Sequence, residues 1–274
     1  MNTMSAYIDG VGLVGPGLAN WPQAAQALTG AIAYAHAPAA IPPAAALPAA
    51  ERRRTSPSVK LALAVGTEAA RAAERDAAML GTVFAASGGD GENCHAICEM
   101  LAGDDRYISP TRFHNSVHNA PAGYWSIAAR AMTASNVLCA HDGTFAAGLL
   151  ETLCQVAVDE QDSLLIASDT EYPHPLRDVR PTRDAFGVAL VLAPRTSAQT
   201  LARIDVRLTD APATTLSSPA LEALRLDNPA ARALPLLEAL ASGRTATIVL
   251  DYLDDLRVRV EVVPARALTT PTPQ

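Results

Sequence analysis

Three stretches of this chain run apolar with no charged residue to turn toward water: Thr82-Val-Phe-Ala-Ala86, Ser163-Leu-Leu-Ile-Ala167 and Phe186-Gly-Val-Ala-Leu-Val-Leu192. A strand with one wet face alternates, so uninterrupted runs belong to strands covered on both faces. Helical patterns lie between them. From residue 58 to about 80, Val59, Leu61, Leu63, Val65, Ala69, Ala70 and Ala73 recur among strong helix formers, with Glu68, Arg71, Glu74 and Arg75 supplying the polar side. The turn Ser87-Gly-Gly-Asp-Gly-Glu92 opens a second helix through about Leu101, and residues 121–131 and 143–158 read as two more around a short strand at 135–138. Strands and helices in this alternation specify the α/β layered class.

Elsewhere the pattern is looser. Tyr7-Ile-Asp-Gly-Val-Gly-Leu-Val-Gly15 reads as a buried strand ending in a glycine turn at Pro16-Gly17. Residues 37–50 are nearly all alanine and proline, and the four prolines there exclude a continuous helix. Beyond about residue 195, strands are expected at 204–208 and 245–250 and a helix at 229–241. Residues 256–263 alternate apolar side chains with Arg257, Arg259 and Glu261, the signature of a half-exposed edge strand, and the last ten residues are expected to fray.

With 49% hydrophobic and 18% charged residues, the chain has a folding composition. A net charge of −7 speaks against a general nucleic-acid binder, since the one basic cluster, Arg52-Arg53-Arg54, suits a solvated segment ahead of a helix. No apolar stretch reaches membrane-spanning length and residues 1–20 lack a secretory pattern, so a cytoplasmic protein without membrane insertion is expected. There Cys94, Cys98, Cys139 and Cys154 would remain thiols. His114 and His118 have the spacing of a helical metal pair, and Cys94, His95 and Cys98 cluster. Neither group completes a ligand set, and Gly88-Gly-Asp-Gly91 lacks the lysine of a phosphate loop. Neither a metal nor a cofactor is expected.

Several ordered motifs resemble the amino-terminal half of the β-ketoacyl synthase and thiolase superfamily over most of residues 6–193. Arg53-Arg54 leads into a first long helix. Ser109-Pro110 precedes a loop and then Asn119, Ala122 and Gly123 in an Asn-x-x-Ala-Gly arrangement, followed by Tyr124-Trp-Ser-Ile127. Residues 162–171 resemble the family's Asp-x-strand-small-small-Glu segment, and residues 185–192 the strand after it. Val137-Leu-Cys-Ala-His-Asp-Gly-Thr-Phe-Ala-Ala-Gly-Leu-Leu-Glu151 is most similar to the small chain length factor subunits of aryl polyene pathways. The resemblance implies a truncated thiolase-like fold: a mixed five-stranded sheet sandwiched between helices in residues 1–195. Residues 196–274 would be a short carboxy-terminal α+β addition packed on the same domain.

A condensing enzyme of this superfamily needs a thiolate at a helix amino terminus and two histidines that stabilise an enolate. Counted back from Gly148, the nucleophile's place falls on Ala140, one residue after Cys139, and the two remain alternatives. Cys139 is otherwise a small buried residue of a tight turn, and Cys154 a core residue. No histidine follows His174. The resemblance therefore implies a non-catalytic chain length factor in polyene, polyketide or fatty-acid-like biosynthesis. It would pair with a β-ketoacyl synthase and meet acyl carrier protein through that complex. Residues 124–130 and 135–149 would form the contact. Phe113, His114, Val117 and His118, with Asn119, Tyr124 and Ala140, would border the acyl tunnel. A stand-alone acyltransferase or ketosynthase-like enzyme using Cys139 is the alternative; a scaffold docking an acidic carrier protein suits the negative balance less well.

Overall fold

The computed structural model describes residues 3–268. Its strands are β1 (Met4–Val14), β2 (Gly81–Ala85), β3 (Ser135–Leu138), β4 (Ser163–Asp169), β5 (Phe186–Ala193), β6 (Ala202–Thr209), β7 (Ala246–Leu250) and β8 (Arg257–Pro264). The helices are α1 (Trp21–Leu28), α2 (Ala49–Arg52), α3 (Pro57–Ala72), α4 (Gly91–Ala102), α5 (Pro110–His114) and α6 (Ala120–Ala129). They continue with α7 (Thr144–Val158), α8 (Leu176–Val179), α9 (Pro219–Asp227), α10 (Leu234–Ser242) and α11 (Ala265–Leu268).

All eight strands form one sheet in the order β3-β2-β4-β5-β1-β6-β8-β7. The sheet is mixed: β2 runs parallel to both β3 and β4, and the other neighbours are antiparallel. The expected five strands are its first five, but the sheet does not stop there. The strands of the carboxy-terminal addition continue it past β1, because β6 pairs with β1 from Met4↔Val206 to Ile8↔Ala202. The expected edge strand is also relocated. Its alternation is real, with every second residue of β8 buried, but β8 lies between β6 and β7, and β7 forms the edge.

Side chains alternate between two layers, as a pleated strand requires. Phe84, Leu164 and Ile166 pack with α3 and with Trp125 of α6, whereas Val83, Ala85, Leu165 and Ala167 join α7 in the layer that also holds α1 and α10. Contact between α3 and the sheet is close enough to require glycine. A Cβ on Gly12 would lie 2.0 Å from the Val65 carbonyl oxygen.

One helix ends earlier, and another starts later, than its periodicity suggests. The helix expected to reach residue 80 stops at Ala72, where Glu74 adopts φ 52. Arg75 then reaches away to pair with Asp9 at 2.9 Å and Asp162 at 2.8 Å. The helix expected from 229 is a 3₁₀ turn over Ala230–Ala233 before α10, since Pro235 has no N–H to donate back to Ala231. Of the residues expected to fray, Ala265–Leu268 form a helical turn and 269–274 lie outside the described residues.

Candidate functional site

The carboxyl ends of the parallel strands β2, β3 and β4 lie side by side, and each leads into a residue with a polar job. Ser87 follows β2, Cys139 follows β3, and Asp169 closes β4. The Ser87 backbone N–H and hydroxyl both donate to Asp169 Oδ1, at 2.8 and 2.7 Å, and Tyr172 Oη lies 3.3 Å from Ser87 Oγ. Asp169 is only 6% exposed and its Oδ2 has no partner among the described residues. Burial pushes its carboxyl above the ordinary carboxylate range, against the pull of the Ser87 hydrogen bonds and the nearby Arg180 charge.

Cys139 donates its thiol proton to the Ser87 carbonyl at 3.0 Å. Contrary to expectation Cys139 is exposed, because β3 is the outermost strand at its end of the sheet. Cys154 is exposed too: Phe145, Leu149, Leu153 and Val156 form the inward stripe of α7, and Cys154 falls off it. Ala140, the alternative occupant of the nucleophile's place, has no reactive group. Its N–H donates to Thr144 Oγ1 at 3.0 Å, and Thr144 in turn donates to the His141 carbonyl at 2.6 Å.

His141 takes a left-handed conformation, φ 51, and its Nε2 meets an Arg180 guanidinium nitrogen. Arg180 also bonds Asp142 Oδ1 at 2.9 Å. On the far side, Arg232 pairs with Asp251 at 3.0 Å, and Arg225 joins the same Asp251 oxygen. Arg225 forks onto Glu222, holding that carboxyl below its usual range. Sequence reasoning missed this charged cluster. Its members are scattered from 142 to 251, and only the topology gathers them.

The other residues expected at the site divide by exposure. Phe113 is 68% and Val117 54% exposed, and His114 and Asn119 also face outward. Tyr124 is buried at 2% and supports the segment from beneath, its ring edge-on to His114 at 6.1 Å. His118 is half-buried, its Nε2 turned inside beside a cavity of about 20 Å³ that Asp90, Asn115 and Val117 also line. Nearby, an open cleft of about 750 Å³ is bordered by Arg54, Asp90, Asn93 and Arg112. His114 ends α5 and His118 lies in the turn beyond, so they share no helix. Among the described residues no three potential ligands gather around a metal position. No described helix is long and apolar enough to cross a membrane.

Residues 19–251 match the family model of the beta-ketoacyl synthase N-terminal domain. The chain belongs to that family. No curated protein matches its sequence. Among solved structures it is similar to a ketosynthase (ApeO) in complex with its chain length factor (ApeC) from Xenorhabdus doucetiae. The TM-score there is 0.72 at 21% identity, covering 94% of this chain and 99% of the other. It is similar as well to AntDE:AntF, a type II polyketide synthase acyl-carrier protein in complex with its ketosynthase, with TM-score 0.73, 11% identity and coverage of 96% and 100%. A beta-ketoacyl synthase from Burkholderia phymatum gives TM-score 0.56 at 14% identity, with 87% of this chain matching 70% of that one. The family's thiolase-like α/β fold is thus the fold seen here, with the mixed sheet of eight strands between its helical layers.

Proposed function

We propose that this chain is a non-catalytic chain length factor that pairs with a β-ketoacyl synthase and shapes the far end of its acyl tunnel. The observation that carries this reading is the free edge of β3. Ser135 and Asn136 are exposed on it, Ile127 and Met132 stand exposed beside it, and it runs directly into the turn of Cys139 and Ala140. An uncovered strand edge flanked by apolar side chains is a template for pairing with another chain. Two features support a partner without its own chemistry: among the described residues Cys139 is bonded to a carbonyl and to no histidine, and residues 175–274 hold no histidine to support an enolate. The coverage supports it too, since the chain spans nearly all of the chains it matches in the two ketosynthase complexes and 70% of the beta-ketoacyl synthase. Acyl carrier protein would be met through the complex, in the cytoplasm, during polyene or polyketide assembly. Phe113, His114, Val117 and His118 would border the partner's tunnel.

Co-expression with a β-ketoacyl synthase from the same genome, followed by size-exclusion chromatography, tests the pairing; a stable monomer that never joins the ketosynthase overturns it. The Cys139→Ala variant tests the absence of chemistry. The pair should condense malonyl units at an unchanged rate, and loss of condensation would make this chain the catalyst.

A further inference from the structure

The turn at residues 140–143 is held from outside its own segment. Asp142 faces Arg180 at 2.9 Å and Arg232 at 3.7 Å, and Arg232 bridges onward to Asp251 at the end of β7. Next to Asp251, Tyr252 lies so close that a Cβ on Gly143 would come within 2.1 Å of its carbonyl oxygen. The arginines of the cluster are held inside, Arg225 and Arg232 being 5% and 15% exposed, while Asp142 stands half-exposed at the turn. The Arg232 guanidinium is hydrogen-bonded to Asp251 at 3.0 Å and stands 3.7 Å from Asp142, so its charge links the two carboxylates. His141 needs such support, because a non-glycine residue at φ 51 is held there only when its surroundings over-determine it.

Resting on the reading above, we propose that the carboxy-terminal addition braces this turn in the shape the ketosynthase meets, with Arg232 as its positioning residue. Arg232 meets the turn through its ion pair with the Asp142 side chain. It acts through Asp142 and through the seat of Asp251 and Tyr252. Replacing it with methionine leaves Asp251 paired with Arg225 and Asp142 paired with Arg180, so no carboxylate is bared and the fold is retained.

The test compares wild type, Arg232→Met, Arg232→Lys and a remote destabilised control, Leu61→Ala in α3, whose melting loss brackets that of the methionine variant. Hydrogen exchange on the isolated chain should accelerate at the amides of residues 141–147 by at least roughly tenfold in Arg232→Met, partly recover in Arg232→Lys, and stay at the wild-type rate in Leu61→Ala. Affinity for the co-expressed ketosynthase should fall in the same order. Unchanged exchange at 141–147 in Arg232→Met overturns the brace. Faster exchange with undiminished pairing overturns its role in assembly. A wild-type chain that does not pair refutes the proposed function, while the exchange measurement still decides the brace.

Discussion

Replacing Gly143 by alanine adds one methyl group where the turn after β3 meets the loop between β7 and β8. The backbone of Gly143, φ −83 and ψ 7, suits any residue, so the penalty is steric and not conformational. The new Cβ would lie 2.1 Å from the Tyr252 carbonyl oxygen, 2.9 Å from its carbon and 3.2 Å from its Cα. All three are backbone atoms, and no rotamer change clears them. Contact at ordinary van der Waals distance requires the turn or the loop to retreat by more than about 1 Å. Forced expansions of this kind cost about 1–3 kcal/mol, which for a chain of this size lowers Tm by roughly 2–10 °C. Calorimetry measures the shift, and pairing with the ketosynthase should weaken in the same variant. A Tm equal to wild type with full pairing would refute the reasoning, because it would mean that the loop does not rest on the turn.

Asp169→Asn should flatten the pH dependence of stability. Burial raises the native carboxyl's pKa above its unfolded value, so the folded state keeps a proton that the unfolded chain gives up. Stability therefore declines as pH rises from the ordinary carboxylate range through the raised value. Asparagine keeps an acceptor for Ser87 and does not titrate, so urea melts from pH 4 to 8 should lose that decline; an unchanged slope would place its origin elsewhere. Phe113→Ala should lengthen the products of the reconstituted pair at little cost to the fold, since the ring is mostly exposed. Each added two-carbon unit entering the opened space gains about 1.6 kcal/mol, roughly a 15-fold preference for one more condensation. Chromatography of the products decides it, and unchanged chain length removes Phe113 from the tunnel wall.

The layered class was readable because uninterrupted runs such as Phe186–Ala193 have one physical solution, a strand with both faces covered. The extent of the sheet was not. Whether β6 continues the sheet or starts another depends on pairing with β1 across nearly two hundred residues, and neither strand's own pattern records its neighbour. For the same reason the alternation of β8 was legible and its interior place was not. At the site, residue type misled where exposure depends on position: Cys139 and Cys154 are small and apolar, yet one follows an edge strand and the other falls off a helix stripe. Asp142, Arg180, Arg232 and Asp251 gave no local signal at all, because an ion cluster assembled from four loops and turns has no spacing to recognise.

The bare rim of β3 also constrains how the cell must handle this polypeptide. Its open N–H and C=O groups will take up whatever extended segment arrives first, including that of a sister copy. On the proposed pairing, synthesis in balance with the ketosynthase keeps that rim covered, and surplus copies are expected to self-associate.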